Sequence, residues 1–189
     1  DDVDPAERLV DLYRQTKQDA KAVDLLERLI AEPGVRADPA RLARCHLRLG
    51  EAWRDAPGGD DAALEKAVEH FNAVLDLDWR QTAAFQAIEA LLVGRQAWRL
   101  LEANYVRMLK RLPREEASRP ARVLLYRTLA DLYRNALQDP EAAAEAWKAV
   151  TLLAPDDGEA AAQWAELVTG RPGAELEAID AWRKALPVA

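Results

Sequence analysis

The sequence predicts an all-α protein built as a row of five antiparallel helix pairs. Three observations carry that expectation. Half of the 189 residues are apolar and 31% are charged. Ala, Leu, Arg and Glu, all strong helix formers, dominate, whereas the β-branched and aromatic residues that favour sheets are scarce. A small–large–apolar triplet recurs five times, and proline and glycine punctuate the chain between its occurrences.

The triplets are Ala22/Leu26/Leu29, Ala67/Phe71/Val74, Leu101/Tyr105/Met108, Ala143/Trp147/Val150 and Ala178/Trp182/Ala185. Spacings of four and three put each set on one helical face. Their first residues lie 45, 34, 42 and 35 positions apart. The basic unit is therefore near 34 residues, with extra residues placed in loops.

A second motif precedes three of the triplets. Leu9-Val10-Asp11-Leu12-Tyr13-Arg14, Leu49-Gly50-Glu51-Ala52-Trp53-Arg54 and Leu129-Ala130-Asp131-Leu132-Tyr133-Arg134 share an apolar first residue, an acidic third, an aromatic fifth and Arg sixth. The predicted helices run 5–16 and 20–32, 38–55 and 61–77, 81–93 and 96–112, 120–136 and 140–153, 158–169 and 174–186. Pro5, Pro39, Pro120 and Pro140 suit first helical turns, with Asp4 and Asp139 as N-caps. Gly34, Gly58-Gly59, Gly94, Gly158, Gly170 and Gly173 fall in the breaks.

Leu49-Gly50-x-x-Trp53 followed by Ala67-x-x-x-Phe71 resembles the tetratricopeptide signature. Ala143-x-x-x-Trp147 with Pro155, and Ala178-x-x-x-Trp182, repeat its second half. The resemblance covers 1–189 as a single array, with units near 5–34, 38–78, 81–113, 120–155 and 158–187. It implies a right-handed α-α superhelix whose first helices line a concave surface. It also implies a non-catalytic scaffold for a protein or peptide partner. The signature glycine appears only at Gly50, its counterparts being Val10, Glu89 and Ala130, and Trp79 stands where proline is usual. The family's groove for acidic C-terminal tails uses Lys and Asn; with Glu7, Asp11, Leu47 and Glu51 at these positions, that groove is not expected here.

One helical hairpin cannot bury its apolar stripe, and stacked neighbours can. Gly50 and Ala67 are expected to meet across their helix pair, with Phe71, Tyr105, Trp147 and Trp182 filling the spaces between units. The net charge of -7 disfavours nucleic acid, because phosphate neutralisation supplies most of that affinity. Cys45 is the single cysteine, so no intrachain disulfide forms. No run of eighteen apolar residues exists, so no membrane insertion is expected. The start at Asp1, without Met or a signal pattern, reads as a piece of something longer. The Arg excess suggests a bacterial source, and the cytoplasm is favoured over the periplasm.

No catalytic motif, metal site or cofactor site is read. Cys45 and His46 are adjacent on a helix and point about 100° apart, so with His70 they read as ordinary helix residues. The tryptophans read as core groups, with Trp79 set apart in a turn and Trp98 and Trp164 unassigned. The candidate partner-binding residues are Asp11, Arg14, Glu51, Arg54, Arg127, Asp131 and Arg134. They read equally as concave-face groups and as i,i+3 surface pairs worth about 0.2–0.5 kcal/mol. Three functions compete: a binding module, a structural joint between subunits or domains, and the helical part of an enzyme whose chemistry lies elsewhere. At the C-terminal end, Leu176, Ile179, Trp182 and Leu186 spread over more than one stripe. They predict an exposed apolar patch and self-association through the last helix pair.

Overall fold

The computed structural model describes residues 5–56 and 60–186. The expected cap at Asp4, the Gly58-Gly59 loop and the end at Pro187 lie outside them. Among the described residues there are eleven α-helices and no strand. They are α1 (Pro5–Gln15), α2 (Asp19–Ala31), α3 (Pro33–Arg36), α4 (Pro39–Arg54), α5 (Asp61–Leu77) and α6 (Thr82–Gly94), then α7 (Trp98–Arg111), α8 (Arg119–Leu132), α9 (Pro140–Leu153), α10 (Gly158–Val168) and α11 (Glu175–Ala185). The ten long helices match the predicted ranges closely. The one-turn α3, a 3₁₀ turn at Glu116–Ser118 and a π turn at Tyr133–Leu137 were not predicted.

Four helix starts, those of α4, α5, α9 and α10, carry an aspartate cap. Asp38 Oδ1 accepts from the amides of Ala40 and Arg41 at 3.0 and 3.1 Å. Asp60, Asp139 and Asp157 accept from Ala63, Ala142 and Ala160 at 2.8, 3.0 and 3.0 Å. Each satisfies an amide left without a partner in the first turn. At the other end, α1, α6 and the π turn after α8 are each followed by a left-handed residue that is not glycine. These are Lys17, Gln96 and Gln138, with φ of 56°, 52° and 54°. The reversal inside the repeat is thus conserved in backbone form while its residue type varies.

The chain divides into two compact units between Gln96 and Ala97, inside the segment predicted as the third pair. In the first unit α1 packs on α2, α2 on α4, α4 on α5 and α5 on α6. Val10, Ala22, Leu26, Leu29, Val35, Cys45 and Leu49 form one buried cluster. The short α3 exists to insert Val35 there, which a loop could not do without burying unpaired backbone groups. Gly50 does not meet Ala67 as its closest partner, as the sequence suggested. The space beside it is taken by the Phe71 ring, one turn further along α5.

In the second unit α8 packs on α9, α9 on α10 and α10 on α11. Tyr105, Trp147, Val150, Trp164 and Val168 are buried, with alanines at 143, 144, 160, 161 and 165 between the helices. Small residues let helix axes approach, and each indole then fills the remaining gap. Trp164, unassigned from sequence, is 1% exposed. Trp182, expected to fill a space between units, is 44% exposed, and its Nε1 donates to Thr169 Oγ1 at 3.0 Å. Ala181 takes the buried position on α11 instead, so the triplet there is one residue out of register.

Candidate functional site

Asp11, Arg14, Glu51, Arg127 and Arg134 join neighbouring helices, whereas among the described residues Arg54 and Asp131 do not. Arg14 of α1 reaches Glu51 Oε2 at 2.9 Å and Asp55 at 3.5 Å, on and just after α4. Asp11 pairs with Arg48 at 3.2 Å, and Arg48 also donates to the Glu7 carbonyl at 3.2 Å. Arg41 and Arg44 of α4 flank the nearly buried Glu7 carboxylate at 3.8 and 3.5 Å. Arg54 turns to the adjacent Asp55, at 2.8 Å. That hydrogen bond is the main reason the Asp55 carboxyl is held below its ordinary range.

The second unit repeats the device. Arg127 of α8 binds Asp157 closely and Glu159 at 3.4 Å, across to α10. Asp157 works twice, since its other oxygen caps α10. Arg134 donates to Gln163 of α10, while Asp131 is exposed. Among the described residues none of the three acid–Arg motifs closes the intrahelical i,i+3 ion pair that was the alternative reading. Arg14, Arg48, Arg127 and Arg134 serve as rungs between consecutive first helices, leaving partly exposed guanidinium and carboxylate edges.

Sequence reasoning missed Arg48, Asp157 and Glu159, because their partners lie about one repeat away rather than one turn away. It also missed a histidine pair. His46 Nδ1 and His70 Nδ1 stand 3.1 Å apart across the α4–α5 hairpin. Burial lowers the pKa of both rings; His46 is lowered further by His70, and His70 by Lys66, while Glu69 opposes in both. Among the described residues no group of three or more His, Cys, Asp or Glu could hold a metal. No described helix is long and apolar enough to cross a membrane.

Two clefts adjoin this framework. In the first unit, Trp53 walls a cleft of about 380 Å³ between α2, α4 and α5, with Lys66 Nζ 4.0 Å from its ring centroid. In the second unit a cleft of about 530 Å³ opens between α7, α8 and α9. Tyr133 lines it and donates to Glu102 Oε1 at 2.9 Å; burial first, then that carboxylate, pushes its phenol up to about 12.

No family model matches the chain, and no curated relative matches it. Solved structures offer distant resemblances. A crystal structure of MamA aligns over 93% of this chain and 91% of that one, at 18% identity and a TM-score of 0.44. MamA from Desulfovibrio magneticus RS-1 aligns over 95% and 90%, at 17% and 0.39. BtubC (BKLC) from P. vanneervenii aligns over 95% and 74%, at 16% and 0.42. The assignment to paired-helix repeats rests on this chain's own packing.

Proposed function

We propose that this chain is a non-catalytic, tetratricopeptide-type interaction module that holds a partner protein or peptide on the face that the first helices make within each unit. The observation behind this reading is the set of rungs: Arg14–Glu51 and Asp11–Arg48 in one unit, Arg127–Asp157 and Arg134–Gln163 in the other. Arg14 and Arg134 hold the same position of the repeated motif, and the rungs hold charged edges in place, so ordering them for a partner costs little further side-chain entropy. Such edges set orientation and specificity more than raw affinity. Asp11, Arg14, Glu51 and Arg54 are the residues assigned to that face in the first unit, and Arg127, Asp131 and Arg134 those in the second.

The test is site-specific photocrosslinking in cells that express the chain. A crosslinking residue at position 11, 51 or 131 should capture a discrete protein, and one at position 65 or 69 on α5 should not. Equal capture from both sets, or none from the first, would overturn the reading.

A further inference from the structure

The cleft between α7, α8 and α9 gathers several cations in one place. The chain carries a net charge of -7, and many of its arginines are engaged in ion pairs with carboxylates. At this cleft Lys110, Arg114 and Arg122 line the walls, and none of them forms an ion pair among the described residues. Arg119, just outside, is by contrast bound to Glu116. Only Glu145 opposes them on the lining. Arg114 and Arg122 also line the adjoining hollow by the 3₁₀ turn, where Glu115 and Glu116 stand beside them.

Apart from the charged residues the lining is made of aliphatic side chains and two tyrosines. Val106 and Leu109 of α7 and Tyr126 of α8 are among them. At about 530 Å³ the space has the size of an ordinary ligand pocket, enough for a bulky side chain with its flanking backbone. An unpaired guanidinium beside an apolar hollow suits a carboxylate next to a buried anchor, since the planar fork takes carboxylate oxygens in pairs. The π turn at Tyr133–Leu137 forms the end of the α8 wall, and such turns often mark working sites.

We propose that this cleft binds a short acidic segment of a partner protein, with one large apolar side chain seated between α7 and α8 and flanking carboxylates on Arg114, Arg122 and Lys110. This rests on the reading of the chain as a protein-binding module and gives one of its partners a chemistry. The site belongs to second helices as well as to α8, and is separate from the rungs of the first-helix face.

The test is selection from a random peptide display library on the purified chain, run in parallel on the Arg114→Glu/Arg122→Glu and Tyr126→Ala variants. Circular dichroism serves as the control for folding. The wild type should enrich peptides in which Leu, Ile, Met or Phe is flanked by Asp or Glu. The selected peptide should bind at least about tenfold more weakly to either variant, and more weakly as salt rises from about 50 to about 500 mM. Acidic peptides that bind the double variant equally well would overturn the cleft assignment. Enrichment sensitive to Arg14→Glu or Arg134→Glu, but not to the cleft variants, would also overturn it and leave the module reading standing. A wild type that enriches nothing would overturn both. An oligouridine binding with the same dependence on Arg114 and Arg122 would replace the peptide by a phosphate backbone and overturn the proposal.

Discussion

A methyl group added at Gly50 would stand 2.7 Å from Cδ1 and Cε1 of Phe71. Phe71 is buried in the same hairpin, 1% exposed. Gly50→Ala should therefore destabilise the first unit by about 1–2 kcal/mol, overpacking outweighing the gain in helix propensity. Phe71→Leu in the same chain should recover part of the loss. Urea midpoints of the two single variants and the double variant form the cycle; strict additivity would refute the contact.

Ala67, on the same face of α5, is wholly buried. Ala67→Leu should cost about 1–3 kcal/mol by forcing the hairpin apart. An unchanged denaturation midpoint would show that space exists there.

The rung from Arg14 to Glu51 joins side chains that are each about one-third exposed. Arg14→Glu should lower stability by only about 0.2–1 kcal/mol. The swapped pair Arg14→Glu/Glu51→Arg should regain most of it. Partner capture should fall in both, because the charge pattern is reversed in both. A swap that restores capture would mean that the rung acts through stability alone.

His46 and His70 sit with folded-state pKa values below that of a free imidazole. The unfolded chain then binds more protons than the folded one, so stability rises with pH across this range. It is fully present above the unfolded value of about 6.5 and is lost as pH falls through the folded values. Melting temperature should drop between about pH 7.5 and pH 5, before most carboxylates titrate. His46→Asn/His70→Asn should flatten that slope; an equal slope in the variant would refute the assignment.

Leu176 and Ile179 of α11 and Leu186 just after it are exposed, Leu176 by 83%. Sedimentation velocity should show association that grows with concentration, and Leu176→Glu/Ile179→Glu should abolish it. A wild type that stays monomeric at high concentration would end that expectation.

The helix pairs were legible because helical spacing and caps are local. Asp139 announced α9, and the Ala143/Trp147/Val150 stripe announced which face of it is buried. What the sequence hid depends on distance. Arg127 shows nothing, in one dimension, of a carboxylate thirty residues away at Asp157. Trp164 and Trp182 look alike in composition, yet one is enclosed and the other lies on the outer side of the last helix, where a one-residue register shift put Ala181 inward. The α7–α9 cleft was invisible because its cations come from two helices and the loop between them.

The thiol of Cys45 is sealed in the α1–α2–α4 cluster, and burial, aided by Glu7, raises its pKa. It is the only sulfhydryl in the chain. Its reaction with an alkylating reagent under native conditions therefore clocks one event, the transient opening of that half of the protein. The rate at which label accumulates reads the free energy of that opening directly, leaving the other half silent. A ligand that slows labelling must bind to, or brace, the cysteine-bearing half, which assigns a captured partner to one half before any complex is solved.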